Sequence, residues 1–130
     1  MKTIFLILCT TLLYGCTQTF DTPLPDKRKY ETDGALMVNV CKKFSEEPDA
    51  KKLHKAAVAV QAARVISCSN YNNECDIYGR CLSEVINASK DGDVSSSERA
   101  AMKKTAMDLK VAVDEGNSKI ETELNKRSSQ

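Results

Sequence analysis

The sequence carries no excess charge of either sign: 19 basic residues stand against 18 acidic ones, a formal net charge of +1 over 130 residues. No large field steers such a chain onto nucleic acid, so non-specific DNA binding is excluded. The length suits one domain and leaves no room for a nucleotide-binding domain beside a substrate domain. Tryptophan is absent, proline occurs three times and glycine five times. No segment alternates apolar and polar residues with a period of two, and no internal repeat is visible, so nothing supports a sheet. His54 is the one histidine. It sits among lysines with no partner at a nucleophile-activating spacing, reads as a surface residue, and leaves neither an enzyme nor a small-molecule substrate to expect. Against these absences stand six cysteines, which in so short a chain mean disulfides or metal, depending on the compartment.

The first residues settle the compartment. Met1-Lys2 places a positive charge ahead of an apolar stretch, Ile4 to Leu13, that is too short to span a bilayer and has the length of a secretory signal core. Leu13-Tyr14-Gly15-Cys16 follows and resembles the lipobox of bacterial lipoproteins, with Leu at −3, a small residue at −1 and the modified cysteine at +1. The resemblance implies that residues 1–15 are a cleaved signal peptide, that Cys9 leaves with it, and that Cys16 becomes the lipidated first residue of the mature chain. Several acyl chains then hold the domain stably to a membrane. Thr17 follows Cys16 where inner-membrane retention would want Asp, so the family's sorting rule implies the outer membrane, facing the periplasm.

Residues 16–31 include two prolines and mixed charge without periodicity, and read as a flexible tether. Lys27-Arg28-Lys29 within it reads as solvated charge rather than a headgroup-binding cluster. A helical domain over residues 32–125 follows. Thr32-Asp33 is a capping pair, with Leu36, Met37, Val40, Cys41 and Phe44 at helical spacing before Pro48. Asp49 caps a second helix to about Ile66, whose alanines permit close helix–helix approach. A third helix fits Asp76 to Ile86. Ser95-Ser96-Ser97-Glu98 is a capping box opening the longest helix, with a seam of Met102, Ala106, Leu109, Val113, Gly116, Ile120 and Leu124. Gly116-Asn117 is a candidate break, and residues 126–130 read as a disordered tail. The fold expected is all-α, a small four-helix bundle stapled by two disulfides.

Cys41, Cys68, Cys75 and Cys81 show no C-x-x-C spacing, and export places them where disulfides persist. In an up-down bundle, helix 2 carries Cys68 roughly 25 Å from the turn near Pro48 at about 1.5 Å per residue. Cys41 lies close to that turn, which makes a bond between Cys41 and Cys68 the least favoured pairing. Cys68 with Cys75 and Cys41 with Cys81 is the preferred connectivity; Cys41 with Cys75 and Cys68 with Cys81 is the alternative. Tyr71 and Tyr78 flank Cys75 and serve either packing around the disulfides or a partner-binding patch.

Residues 87–98 resemble an EF-hand calcium loop over all twelve positions. The resemblance implies Asn87, Ser89, Asp91, Ser95 and Glu98 as side-chain ligands, Asp93 binding through its carbonyl, and Gly92 at the sharp turn. With only Asp91 and Glu98 charged among the side-chain ligands, the binding implied is weak, and no other cofactor is expected. The same residues also make a turn and a capping box without metal. Small, lipid-anchored, disulfide-stapled helical domains act by holding another protein. The lipobox together with Gly34-Ala35-Leu36-Met37-Val38-Asn39-Val40-Cys41-Lys42-Lys43 resembles the pilotin lipoproteins of type II secretion. These helical bundles bind the C-terminal segment of a secretin and bring it to the outer membrane, so a secretin is the partner implied. Two alternatives stand beside this reading: an exclusion or immunity lipoprotein of plasmids and phages, and a calcium-responsive envelope lipoprotein using the 87–98 loop.

Overall fold

The computed structural model describes residues 24–68 and 71–129. The segments read as signal peptide and lipobox, Cys16 included, and the first half of the segment read as a tether lie outside the described residues. Within them the chain is all-helical: α1 Lys27–Glu46, α2 Ala50–Ala63, α3 Asn72–Ser89 and α4 Ser96–Ser128. The sequence places helices in all four regions, but several boundaries differ, each for a local reason.

Helix α1 begins five residues before the Thr32-Asp33 pair. Asp26 is its N-cap, accepting the Lys29 amide. The first turn is fixed by Tyr30, which is buried, and by Lys27, which reaches Glu121 at 2.8 Å and Glu31 at 4.0 Å. The tether read over residues 16–31 is therefore corrected at its C-terminal end: residues 27–31 belong to α1. Lys27 and Lys29 remain exposed, as expected of solvated charge, and also pair with Glu121 of α4, Asp33 of α1 and the Tyr71 hydroxyl. Asp49 caps α2 as expected, its carboxylate taking the Lys51 and Lys52 amides. That helix ends at Ala63, where Arg64 turns into the left-handed region at φ 45°.

The capping box at Ser95 and Glu98 is fully formed, and α4 then runs unbroken for 33 residues. Gly116 does not break it, because the position serves close approach: a Cβ there would overlap the Tyr30 hydroxyl. The disordered tail read over 126–130 is corrected as well. Residues 126–128 are helical, with Lys126 and Arg127 in the last turn, where cations favour the helix dipole.

Helix α4 runs antiparallel to α1 and to α3. Gly34 faces Val113, and a Cβ on that glycine would lie 2.6 Å from a Val113 methyl; Arg99 at the opposite end donates to the carbonyls of Ser45 and Pro48. Thr105 places its hydroxyl 2.8 and 2.9 Å from the two carboxylate oxygens of Glu84. Helices α1 and α3 run parallel, joined by Asp33 to Tyr71 at one end and by the Cys41–Cys81 disulfide further down. Helix α2 lies on α3, Leu53 and Ala57 meeting Leu82 and Val85. One apolar cluster, around Met37, Cys41, Cys81, Leu109 and Val113, holds α1, α3 and α4 together; a second, around Phe44, Leu53, Val85 and Met102, brings in α2.

Both preferred disulfides are present, Cys41–Cys81 with Cα atoms 6.2 Å apart and Cys68–Cys75 at 5.9 Å. The shorter α2 and earlier α3 explain how Cys41 comes level with Cys81. The ascent stops at Ala63 and the descent begins at Asn72, which brings Cys81 one turn lower than a helix starting at Asp76 would.

Candidate functional site

An apolar cleft of about 540 Å³ opens between α1, α2 and α3. Leu36 and Val40 of α1 form one wall; Ala59, Val60 and Ala63 of α2, continuing into Val65 and Ile66, form the other; Tyr78, Gly79 and Leu82 of α3 make the floor. The Cys68–Cys75 disulfide closes one end. The volume falls within the range of ligand pockets, and the lining has their character, mostly apolar with few polar groups. Arg64 is its one charged lining residue.

The cleft exists because its walls are short. The alanines of α2 divide their work: Ala57 is buried against α3, while Ala59 and Ala63 leave open space instead of drawing a neighbouring helix close. Gly79 adds to it, since a Cβ built there meets nothing within 4 Å. Val65, 74% exposed, and Leu36, 39% exposed, stand at the rim. A second groove of about 550 Å³ between α1 and α4 is lined by Lys42, Glu46, Lys103 and Lys110, and those charges suit solvent better than an apolar ligand.

A polar latch closes the bundle end beside this cleft. Tyr71 donates to Asp33 at 2.5 Å, Lys29 donates to the Tyr71 oxygen at 3.1 Å and to Asp33 at 3.2 Å, and Tyr30 donates to Glu74 at 3.1 Å. The two rings pack edge to face with centroids 5.4 Å apart. Burial pushes the Tyr30 phenol well above its ordinary value, and the Glu74 carboxylate adds to the rise. Burial and Asp33 raise Tyr71 against the opposing pull of Lys29, and burial alone raises Tyr78. Of the two tyrosines flanking Cys75, Tyr71 is core packing, whereas Tyr78 packs against both apolar clusters and also lines the cleft.

The residues read as calcium ligands are not brought together. Helix α3 extends through Ser89, so Asn87 and Ser89 lie inside a helix rather than in a loop. Ser89 is buried, its hydroxyl donating to the Val85 carbonyl at 2.6 Å and lying 3.1 Å from His54 Nδ1. With the hydroxyl proton on Val85, the Ser89 oxygen accepts from His54, which is half-buried and ties α2 to α3 rather than standing on the surface. Gly92 makes the turn at φ 83°, with Asp91 and Asp93 exposed on either side. Glu98 accepts the Ser95 amide at 2.9 Å, and Ser95 accepts the Glu98 amide at 3.1 Å. Turn and capping box account for the segment, and among the described residues no cluster of three or more His, Cys, Asp or Glu is placed to hold a metal ion.

Sequence reasoning missed Arg64, Val65 and Gly79. A cleft between three helices has no period of its own. The available signal was a run of residues 50–73 with Lys51, Lys52, Lys55 and Arg64 but no acidic residue, in a chain otherwise balanced in charge. Among the described residues no helix is long and apolar enough to cross a membrane. No protein family, curated protein or solved structure matches the chain.

Proposed function

We propose that this chain is a lipid-anchored envelope protein that acts by holding a partner protein, as a pilotin-like chaperone for the assembly and targeting of an outer-membrane secretin, and not as an enzyme. Cys16 is the lipidated residue on this reading, and the domain faces the periplasm from the outer membrane. The observation that carries the reading is the cleft between α1, α2 and α3: apolar, open along one side, and bearing a single cation. It suits a peptide segment with an apolar face and one carboxylate, the apolar face replacing water along Leu36, Val60 and Leu82 and the carboxylate meeting Arg64. Two disulfides suit an oxidising compartment.

The test is deletion of the gene, followed by fractionation of the cell envelope and detection of the secretin of the same cell. Secretin multimers are expected to shift from outer-membrane to inner-membrane fractions. The Gly79→Leu variant should reproduce that shift while retaining its helical circular dichroism, because a side chain at Gly79 projects into open space and fills the cleft floor. An unchanged secretin distribution in the deletion strain overturns the reading. If the same strain also loses resistance to an incoming plasmid or phage, an exclusion role takes its place.

A further inference from the structure

The two disulfides of this domain sit in opposite surroundings. Cys41 and Cys81 are 1% and 2% exposed at the centre of the packing between α1, α3 and α4. Cys68 is exposed and Cys75 half-buried, and both line the open cleft. Thiol–disulfide exchange proceeds by in-line attack of a thiolate on a sulfur, so access decides which bond reacts and which sulfur is struck. Of the four disulfide-bonded cysteines, Cys68 alone is an exposed residue.

The leaving group is also favoured. Cys75 lies in the first turn of α3, its amide bonded to the Tyr71 carbonyl. A thiolate formed there stands at the positive end of an 18-residue helix, the setting that lowers thiol pKa. Glu74, the acidic residue of the same turn, is engaged by the Tyr30 hydroxyl. Loss of the bond leaves the domain held: Cys41–Cys81 spans 40 residues and Cys68–Cys75 only 7, and Tyr71 stays fixed by Asp33 and Lys29 whichever state the cysteines adopt. So short a separation also lets the bond re-form readily, because little chain entropy opposes closure.

We propose that Cys68–Cys75 is a thiol–disulfide exchange site for dithiol reductants of the C-x-x-C class, with the Cys68 sulfur as the atom attacked and Cys41–Cys81 as a purely structural bond. A reductant thiolate bonds to Cys68 Sγ; the Cys68–Cys75 bond breaks, its electron pair leaves on Cys75 Sγ, and that thiolate takes up a proton. The reductant's second thiolate then attacks its own mixed-disulfide sulfur and releases Cys68 as a thiol. The protein gains two electrons and two protons, all supplied by the dithiol, which ends as a disulfide. The site does not depend on which protein occupies the cleft.

The test uses the protein purified as its cells make it, treated under native conditions with dithiothreitol, quenched with N-ethylmaleimide at intervals and mapped by peptide mass spectrometry. Alkylation of Cys68 and Cys75 is expected at least roughly tenfold faster than that of Cys41 and Cys81, since buried bonds wait on opening of the fold. Helical circular dichroism should persist in the doubly alkylated species. Loss of both disulfides together, or of Cys41–Cys81 first, overturns the proposal. A second arm adds a dithiol protein whose resolving cysteine is changed to serine, which traps the mixed disulfide. A peptide joining it to Cys68 is expected, while one joining it to Cys75, or no trapped species at all, overturns the assignment.

Discussion

Two glycines show how much a single hydrogen in place of a methyl group decides here. Gly116 lets α4 lie against the Tyr30 ring, with a Cβ there overlapping the Tyr30 hydroxyl, whereas Gly79 faces open cleft. Both lie inside helices, where alanine is intrinsically the better residue. The two substitutions should therefore move stability in opposite directions. Gly116→Ala forces the buried Tyr30 aside and costs about 1–3 kcal/mol, as overpacking does. Gly79→Ala gains about 0.5–1 kcal/mol from the lowered entropy of the unfolded chain. Thermal melts of the two variants against the parent check both signs, and a stabilised Gly116→Ala would mean that Tyr30 does not pack where α1 meets α4. Arg64 is the converse case, a side chain held in a conformation that suits glycine. Its left-handed backbone ends α2 and leaves Arg64 lining the cleft.

At the scale of elements, the disulfides and the loop after α3 carry the predictions. On the loop-entropy relation, replacing Cys41 and Cys81 by alanine lowers stability by about 4 kcal/mol, and replacing Cys68 and Cys75 by about 2 kcal/mol, following their separations of 40 and 7 residues. Urea denaturation of both double variants compares them. An equal loss would show that the closed-loop argument does not govern this fold. For calcium, neither the parent nor Asn87→Asp should shift its melting temperature in millimolar calcium, because residue 87 lies within α3 and Ser89 is buried. A calcium-dependent rise would require α3 to unwind to its position 87. Most of the architecture was legible, since apolar spacing, the Asp49 cap and the Ser95 capping box are local signals. So was the pairing of Cys68 with Cys75, which follows from the short span between them. What the sequence hid depends on distant partners. The early start of α1 rests on Glu121 and on the burial of Tyr30, and the continuity of α4 through Gly116 rests on the same tyrosine. Calcium-loop spacing at 87–98 is outweighed by the continuation of α3 through a buried Ser89, whose hydroxyl bonds back to Val85 and meets His54 of α2.

For the molecule as a whole, one prediction concerns where it sits and one how it responds to alkali. Cys16→Ala should leave the chain unprocessed or released into the periplasm, because the proposed anchor depends on that one thiol. Intact-mass measurement of the membrane fraction decides it, and a mature mass without acyl additions sinks the lipoprotein reading. The second prediction follows from the tyrosines. Tyr30, Tyr71 and Tyr78 all have phenols raised above the ordinary value of 10.0, in each case chiefly by burial. Below pH 10 both folded and unfolded chains keep these protons, so the three groups add no slope to stability there. Above it the unfolded chain ionises while the folded chain does not, and the folded state binds the larger number of protons. Stability must then fall as pH rises, by at most about 1.4 kcal/mol per unit for each phenol still protonated in the fold. The latch beside the cleft ties the first turn of α1 to the start of α3, so its failure frees that end of both helices. Absorbance at the phenolate wavelength should therefore lag the curve of free tyrosine and then rise together with the loss of helical circular dichroism. In Tyr30→Phe the lag should shrink, with one fewer titrating group in the step. Phenolate signals following the free-tyrosine curve while the helices persist would show that these hydroxyls are solvated, and that the latch is not closed in solution.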